Sequence, residues 1–247
     1  MPFYTHLQQA QAGLFSHYLL AQADGLTRDF QRLYDAFERI NQSPLGAGPV
    51  GGTSITIDRH STAKMLGFDG VVENSLDATS TRDFVAEYVA MISILMTNLS
   101  RISEDFIIWS SAEFSFIELS DDFTSPSSVM PQKKNPDIAE LARGKAGRLI
   151  GNLTGFLATQ KSLPLAYNKD LQEDKEPLFD SCDTARLTLL ALRGMVQTLD
   201  FNGEAMRLAA DSPYAAATDL AELLVEQGLP FRDAHAVVGK LVRDSLA

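Results

Sequence analysis

The chain has 247 residues, 45% hydrophobic and 21% charged, with a net charge of -11. That length fits one large globular domain or two smaller ones, and the acidic balance disfavours a general nucleic-acid or anionic-membrane surface, since both need basic patches. A single cysteine, Cys182, excludes an intrachain disulfide and fits a reducing, cytoplasmic setting; no segment reads as a signal peptide, and no uninterrupted apolar run of about 20 residues suggests a membrane span.

The first residues, "MPFYTHLQQAQ", read like protein interior, with Thr5 and His6 in a polar break before a helix. Leu26, Phe30, Leu33, Phe37 and Ile40 then recur at threes and fours, the spacing of a helical seam. Residues 43–59, "SPLGAGPVGGTSITIDR", are glycine-rich and read as a connection, with no GKS/GKT phosphate loop. The clearest helix begins near Ser80, where Ser80 and Asp83 have capping-box-like spacing. Phe84, Tyr88, Met91, Leu95, Leu99, Ile102, Phe106 and Trp109 form its seam. A second stripe, Val85, Val89, Ile92 and Met96, predicts burial on more than one side.

A further helix is predicted over roughly 136–161, with Gly147, Gly151 and Gly155 on one face. Each glycine costs about 1 kcal/mol against alanine in a helix, so the stripe predicts a close helix–helix approach. Arg143, Lys145 and Arg148 in the same segment exclude a membrane reading of it. Leu178, Cys182, Ala185, Leu189, Leu192, Val196 and Leu199 give the last long seam, with Pro177 suited to its first turn. Pro213 and Pro230 fit the starts of shorter helices. No stretch alternates at period 2 long enough for a sheet. The expected fold is all-α: a long-helix bundle over 1–209, and the start of a small C-terminal helical domain over 210–247.

Three polar clusters could carry chemistry. The first is "SPSSVMPQKKNP" (125–136), stiffened by Pro126, Pro131 and Pro136. Asn135 as N-cap and Pro136 as N1 would place a helix N-terminus behind Lys133 and Lys134. Free N–H groups and two ammonium groups there would favour an anion, beside Ser127 and Ser128. A solvated lysine pair before a capped helix is the plainer reading of the same residues. The second is His6, a versatile acid–base group that Glu140 could orient and make more basic. The third is "PLAYNKDLQEDKE" (164–176), where Tyr167, Asn168, Lys169, Gln172 and Lys175 interleave neutral donors with charge between two helices. No cysteine or histidine spacing suggests a metal site, and the GxSxG nucleophile elbow is absent.

In this order the clusters resemble the fumarase/aspartase superfamily of lyases. "MPQKKNPD" followed by "LPLAYNKDLQEDKE", together with "YTHLQQAQ" and "ENSLDATSTRDFVAEY", resembles its argininosuccinate lyase family from the first residues to about Leu199. The resemblance implies reversible cleavage of argininosuccinate to arginine and fumarate, with no cofactor. It implies Ser127 and His6 as the catalytic acid–base pair, with Ser127 the proton-abstracting group on a mobile loop, and Glu140 as the acidic partner of His6. Thr5, Asn135, Tyr167, Gln172 and Lys175 match substrate-binding positions, and Lys133 matches the lysine near the substrate carboxylate.

It further implies a homotetramer with active sites shared between subunits, and a longer chain than this one at both ends. Where the family usually has glycine before the paired serines, this chain has Pro126; Phe3 and Ala12 stand where it usually has glycine and proline. A related lyase of another succinyl compound and a non-catalytic helical protein of the same fold are the competing readings. The 167–175 segment counts against the first, and retention of His6, Ser127 and Glu140 against the second.

Overall fold

The computed structural model describes residues 1–211 and 214–246 and is mostly helical. In chain order it comprises β1 (Pro2–Thr5), β2 (Gln8–Ala12), α1 (Phe15–Ile40), β3 (Gln42–Ser43), α2 (Arg59–Met65), β4 (Gly70–Val71), α3 (Ser75–Ser80), α4 (Asp83–Trp109), β5 (Ile117–Glu118), β6 (Ser125–Pro126), β7 (Lys134–Asn135), α5 (Asp137–Gln160), α6 (Lys175–Gln197), β8 (Asp200–Phe201), α7 (Gly203–Ala210), α8 (Ala217–Glu226) and α9 (Phe231–Leu246). The strands are short and pair only two at a time: β1 with β2, β3 with β4, β5 with β8 and β6 with β7. Pro213 lies outside the described residues. Pro230 does introduce a helix, its carbonyl accepting from the N–H groups of Asp233 and Ala234.

The chain divides into two compact units: Met1–Gln22, Ile108–Glu118 and Leu199–Ala247 form one, Ala23–Ile107 and Leu119–Thr198 the other. In the second, α4, α5 and α6 supply the core. Val85, Val89 and Phe156 are buried together, with Tyr88, Leu153 and Leu178 packed against them. Both expected stripes of α4 contribute: Met91, Leu95, Leu99 and Phe106 are buried, as are Val85, Val89, Ile92 and Met96, while Trp109 at the helix end is buried in the first unit. Full burial of each such side chain contributes about 1.5–3 kcal/mol. Ser93 and Ser103 are buried there too, their hydroxyls donating to the carbonyls of Val89 and Leu99 one turn back. By length and composition α4 could cross a bilayer, but half of its most apolar window is buried inside the fold, as in the core helix of a globular protein.

Four local expectations change. Ser80 does not cap α4: it ends α3, and its hydroxyl donates to Leu76 O at 2.8 Å. The α1 seam is only partly covered, with Leu26, Leu33 and Ile40 half-buried. Phe30 and Phe37 are exposed, as is Tyr34 beside them, while the buried residues of α1 are Ala36 and Asp29. The Asp29 carboxylate accepts from Arg32 Nη1 at 2.6 Å and Asn98 Nδ2 at 2.8 Å, which makes its burial tolerable. On α6 the buried face runs through Ser181, Thr184, Ala185, Thr188, Leu192 and Met195, leaving Leu189 and Val196 exposed. The expected close approach to Gly147, Gly151 and Gly155 is absent among the described residues: a Cβ at any of them would meet nothing within 4 Å.

In the first unit, Phe15, Tyr18, Trp109, Phe116 and Phe201 interlock, with Tyr18–Trp109 and Phe15–Phe201 ring centroids 4.6 and 4.8 Å apart. Helices α8 and α9 fold back on each other around Ala221, Ala234 and Val238.

Candidate functional site

The histidine sits on a hairpin. Strands β1 and β2 pair antiparallel with Thr5 opposite Gln8, so His6 and Leu7 are the two-residue turn. Both have left-handed backbone, φ 56° and 57°. Two such residues define a type I′ turn, usually built from Asn and Gly because other side chains are strained there. Strain at a position of chemical interest motivates a functional reading. The hairpin is anchored on its sides. Tyr4 packs on Phe114 and Phe116 at 5.5 and 6.5 Å, and Phe3 lies against the His17 ring at 6.0 Å. Phe3 also covers Gly13 so closely that a Cβ there would lie 2.3 Å from its ring. Thr5 and His6 are exposed.

The serine also sits on a hairpin, one that its proline-rich sequence did not suggest. Ser125 pairs with Asn135 and Pro126 with Lys134, closing a loop over 127–133. Ser127 N donates to Lys133 O at 3.3 Å and continues the pairing. The Ser127 Oγ accepts from Val129 N at 3.2 Å and Met130 N at 3.0 Å. These two N–H dipoles point at the oxygen on which an alkoxide would develop, a stabilising role that the sequence had offered only to lysines and a helix end.

The anion-favouring picture around this loop narrows. Asn135 is not the N-cap of α5. It lies in β7, with Nδ2 3.5 Å from Ser125 Oγ, and Pro136 takes the N-cap position with no side-chain bond. The first turn of α5 already carries Asp137 and Glu140, which offset the helix dipole. Lys134 pairs with Asp121 at 2.8 Å. Lys133 is exposed on the loop. Glu140 lies 3.9 Å from Arg143 Nη2, and Arg143 also reaches Glu104 at 2.6 Å.

The third cluster is locally ordered. Ser162 and Ala166 have φ 64° and 69°, and Asn168 Nδ2 donates to the carbonyls of Pro164 and Ala166, fixing the bend. Gln172 Nε2 donates to the Tyr167 hydroxyl. A 3₁₀ segment, Lys169–Asp174, leads into α6, whose first residue is Lys175. Lys175 Nζ bonds Asp174 Oδ1 at 2.7 Å, and Arg82 Nε bonds Oδ2 at 2.7 Å. Burial pushes the Asp174 carboxyl up, but the Lys175 and Arg82 bonds outweigh it and hold it below the usual carboxylate range. A cleft of about 740 Å³ opens beside Arg82, Asp174 and Lys175, its walls including Phe68, Val72 and Leu178.

Elsewhere in the same unit, burial and a bond to Cys182 push the Tyr88 phenol up to about 12. Among the described residues no cluster of three or more His, Cys, Asp or Glu is placed to hold a metal. The second unit thus brings together Ser127, Lys133 and Asn135 on one hairpin, and Tyr167, Gln172 and Lys175 on one segment, with Glu140 in the first turn of α5. Thr5 and His6 belong to the first unit.

Comparison with known proteins agrees with these elements. A lyase family model matches residues 1–151, and an argininosuccinate lyase C-terminal model matches 214–247. The argininosuccinate lyase of Nitrosopumilus maritimus is 66% identical over 243 residues, covering 98% of this chain and 50% of that protein. That of Citrifermentans bemidjiense is 55% identical, covering 98% of this chain and 53% of its own. A crystal structure of EDDS lyase in complex with formate superposes with TM-score 0.94 at 35% identity, over all of this chain and 49% of that one. The class II fumarase of Schistosoma mansoni, at 20% identity, shares the fold with TM-score 0.84, over 98% of this chain and 54% of its own. The chain belongs to the fumarase/aspartase superfamily of lyases, in the argininosuccinate lyase family. It spans about half the length of the curated relatives it matches.

Proposed function

We propose that this chain contributes the acid–base machinery of an argininosuccinate lyase, a cytoplasmic enzyme that reversibly eliminates fumarate from argininosuccinate to give arginine. The observation that carries the reading is the Ser127 hydroxyl oxygen, held by two backbone N–H groups at the mouth of a hairpin. Serine is a poor base at its ordinary pKa, and donors aimed at its oxygen are what its alkoxide requires. Ser127 takes the proton from the carbon beside a substrate carboxylate. Lys133 and Asn135 meet the charge that spreads onto that carboxylate. The carbon–nitrogen bond then breaks, the double bond of fumarate forms, and His6 returns a proton to the departing guanidino nitrogen. In this reading Glu140 is the acidic partner of His6 in the assembled enzyme. Thr5, Tyr167, Gln172 and Lys175 hold the substrate.

The assembly is a homotetramer with active sites shared between subunits, and residues 210–247 begin the small C-terminal domain. The outward apolar faces of α1 and α6 and the uncovered glycines of α5 support self-association.

Fumarate release from argininosuccinate, followed by ultraviolet absorbance, tests the reading. The chain is assayed alone and mixed with the complementary half of a curated relative. Turnover in the mixture, abolished by Ser127→Ala, is expected. A stable complex of the two halves with no turnover would refute the assignment, and preference for another succinyl compound would reassign the substrate.

A further inference from the structure

Asp174 has no task in the reaction as described. It stands at the N-cap position of α6, where an aspartate ordinarily accepts from the N–H groups of the first turn. Its side chain makes no such bond. Both oxygens serve cations instead: Oδ2 accepts from Arg82 and Oδ1 from Lys175, each at 2.7 Å. Exposure is graded across the three side chains, 9% for Asp174, 20% for Arg82 and 55% for Lys175.

Arg82 is itself tied down. Its Nη1 donates to Thr79 O at 3.3 Å, in the last turn of α3, and to Thr81 O at 2.6 Å, in the short link to α4. A guanidinium fixed to backbone therefore holds a nearly buried carboxylate, and the carboxylate's other oxygen holds an ammonium at the surface. The ammonium needs such a hold. Lys175 opens α6, where the helix dipole is positive and a lysine is disfavoured. Its flexible stem would otherwise let the charge wander. One of its three protons goes to Asp174, leaving two directed outward for another acceptor.

We infer that Asp174, anchored by Arg82, is a positioning residue that aims the Lys175 ammonium at a substrate carboxylate. The inference rests on the reading of Lys175 as a substrate-binding residue. Asp174→Asn keeps the shape but removes the charge that restrains the lysine. Arg82→Lys keeps a cation but loses the fork that grips the backbone.

The direct test is the rate at which an amine-acylating reagent labels Lys175 in the purified 247-residue chain, read by peptide mass spectrometry with Lys133 as internal reference. Lys175 labelling is expected to rise several-fold in Asp174→Asn and less in Arg82→Lys, with Lys133 unchanged and the far-ultraviolet circular dichroism retained. Wild-type labelling of Lys175 in folded Asp174→Asn would overturn the inference. If Asp174→Asn does not fold, Arg82→Lys decides by the same criterion.

In an active assembly, Asp174→Asn should lower kcat/KM by about 100-fold, the scale expected for a misplaced positioning group. Adding it to Lys175→Met should cost nothing more, whereas fully additive losses would overturn the coupling. The labelling experiment needs no turnover, so a failure of the lyase reading and a failure of the positioning are distinguishable.

Discussion

The two proposed proton-transfer residues ride on hairpins of opposite character. The His6 hairpin has the shortest loop a hairpin allows, two residues in left-handed conformation, braced by Tyr4 on two phenylalanines and by Phe3 over Gly13. The Ser127 hairpin pairs only two residues on each side, and its loop over 127–133 is held by backbone turns and the serine's own two accepted bonds. The first is fixed by side-chain packing and tolerates local strain; the second is fixed by a few hydrogen bonds near solvent. The contrast suits their proposed tasks, a fixed acid–base group and a loop that closes to exclude water.

The largest expected effect is on the looser hairpin. Ser127→Ala in an active assembly should lower kcat by about 10²–10⁴-fold, the range for loss of a general acid–base group, with substrate affinity largely kept. Steady-state kinetics check it, and a variant within tenfold of wild type would remove Ser127 from the chemistry. The braced hairpin is broken differently. Gly13→Ala forces a Cβ into the Phe3 ring and should destabilise its unit by about 1–3 kcal/mol, as overpacking does. Phe3→Ala on the same chain should recover most of that loss in a thermal melt, since the two positions share one contact.

How much of this was legible in the sequence differs by element. Helix α4 was, because it is apolar on several sides and both of its stripes are mostly buried. The seam of α1 was legible as a stripe but not as a partly exposed one. Periodicity reports where apolar side chains line up, not what covers them, and at the edge of that stripe Asp29 is buried through its bonds to Arg32 and Asn98. The serine loop was recognised from its residues. The N–H groups that serve Ser127 were not, because backbone donors carry no side-chain signal. The His6 turn was hidden for a related reason, since neither His nor Leu announces a left-handed conformation. The shift of Asn135 from cap to strand followed from a pairing of two residues, too short to show as alternation.

Smaller changes sharpen the comparison. Pro126→Gly restores conformational freedom to the unfolded chain and should cost about 0.4–1 kcal/mol. Hydrogen exchange should speed up over 127–135 and stay unchanged over 2–12; equal acceleration in both hairpins would contradict their separate anchoring. The smallest effect is a gain. Leu7→Gly relieves one strained position at some cost in chain entropy, for a net stabilisation of about 0.5 kcal/mol in chemical denaturation. A loss instead would mean that the Leu7 side chain, though exposed, contributes more than its backbone costs.

The uncovered glycines of α5 have a consequence for anyone breeding this chain for robustness. With open space at Gly147, Gly151 and Gly155, alanine fits each without a clash and improves helix propensity by about 1 kcal/mol. A screen that rewards heat tolerance of the isolated polypeptide would therefore collect methyl groups along that face. Under the proposed assembly, the same methyl groups would stand where a neighbouring helix must come close, so the sturdiest survivors of such a screen would be its poorest oligomers.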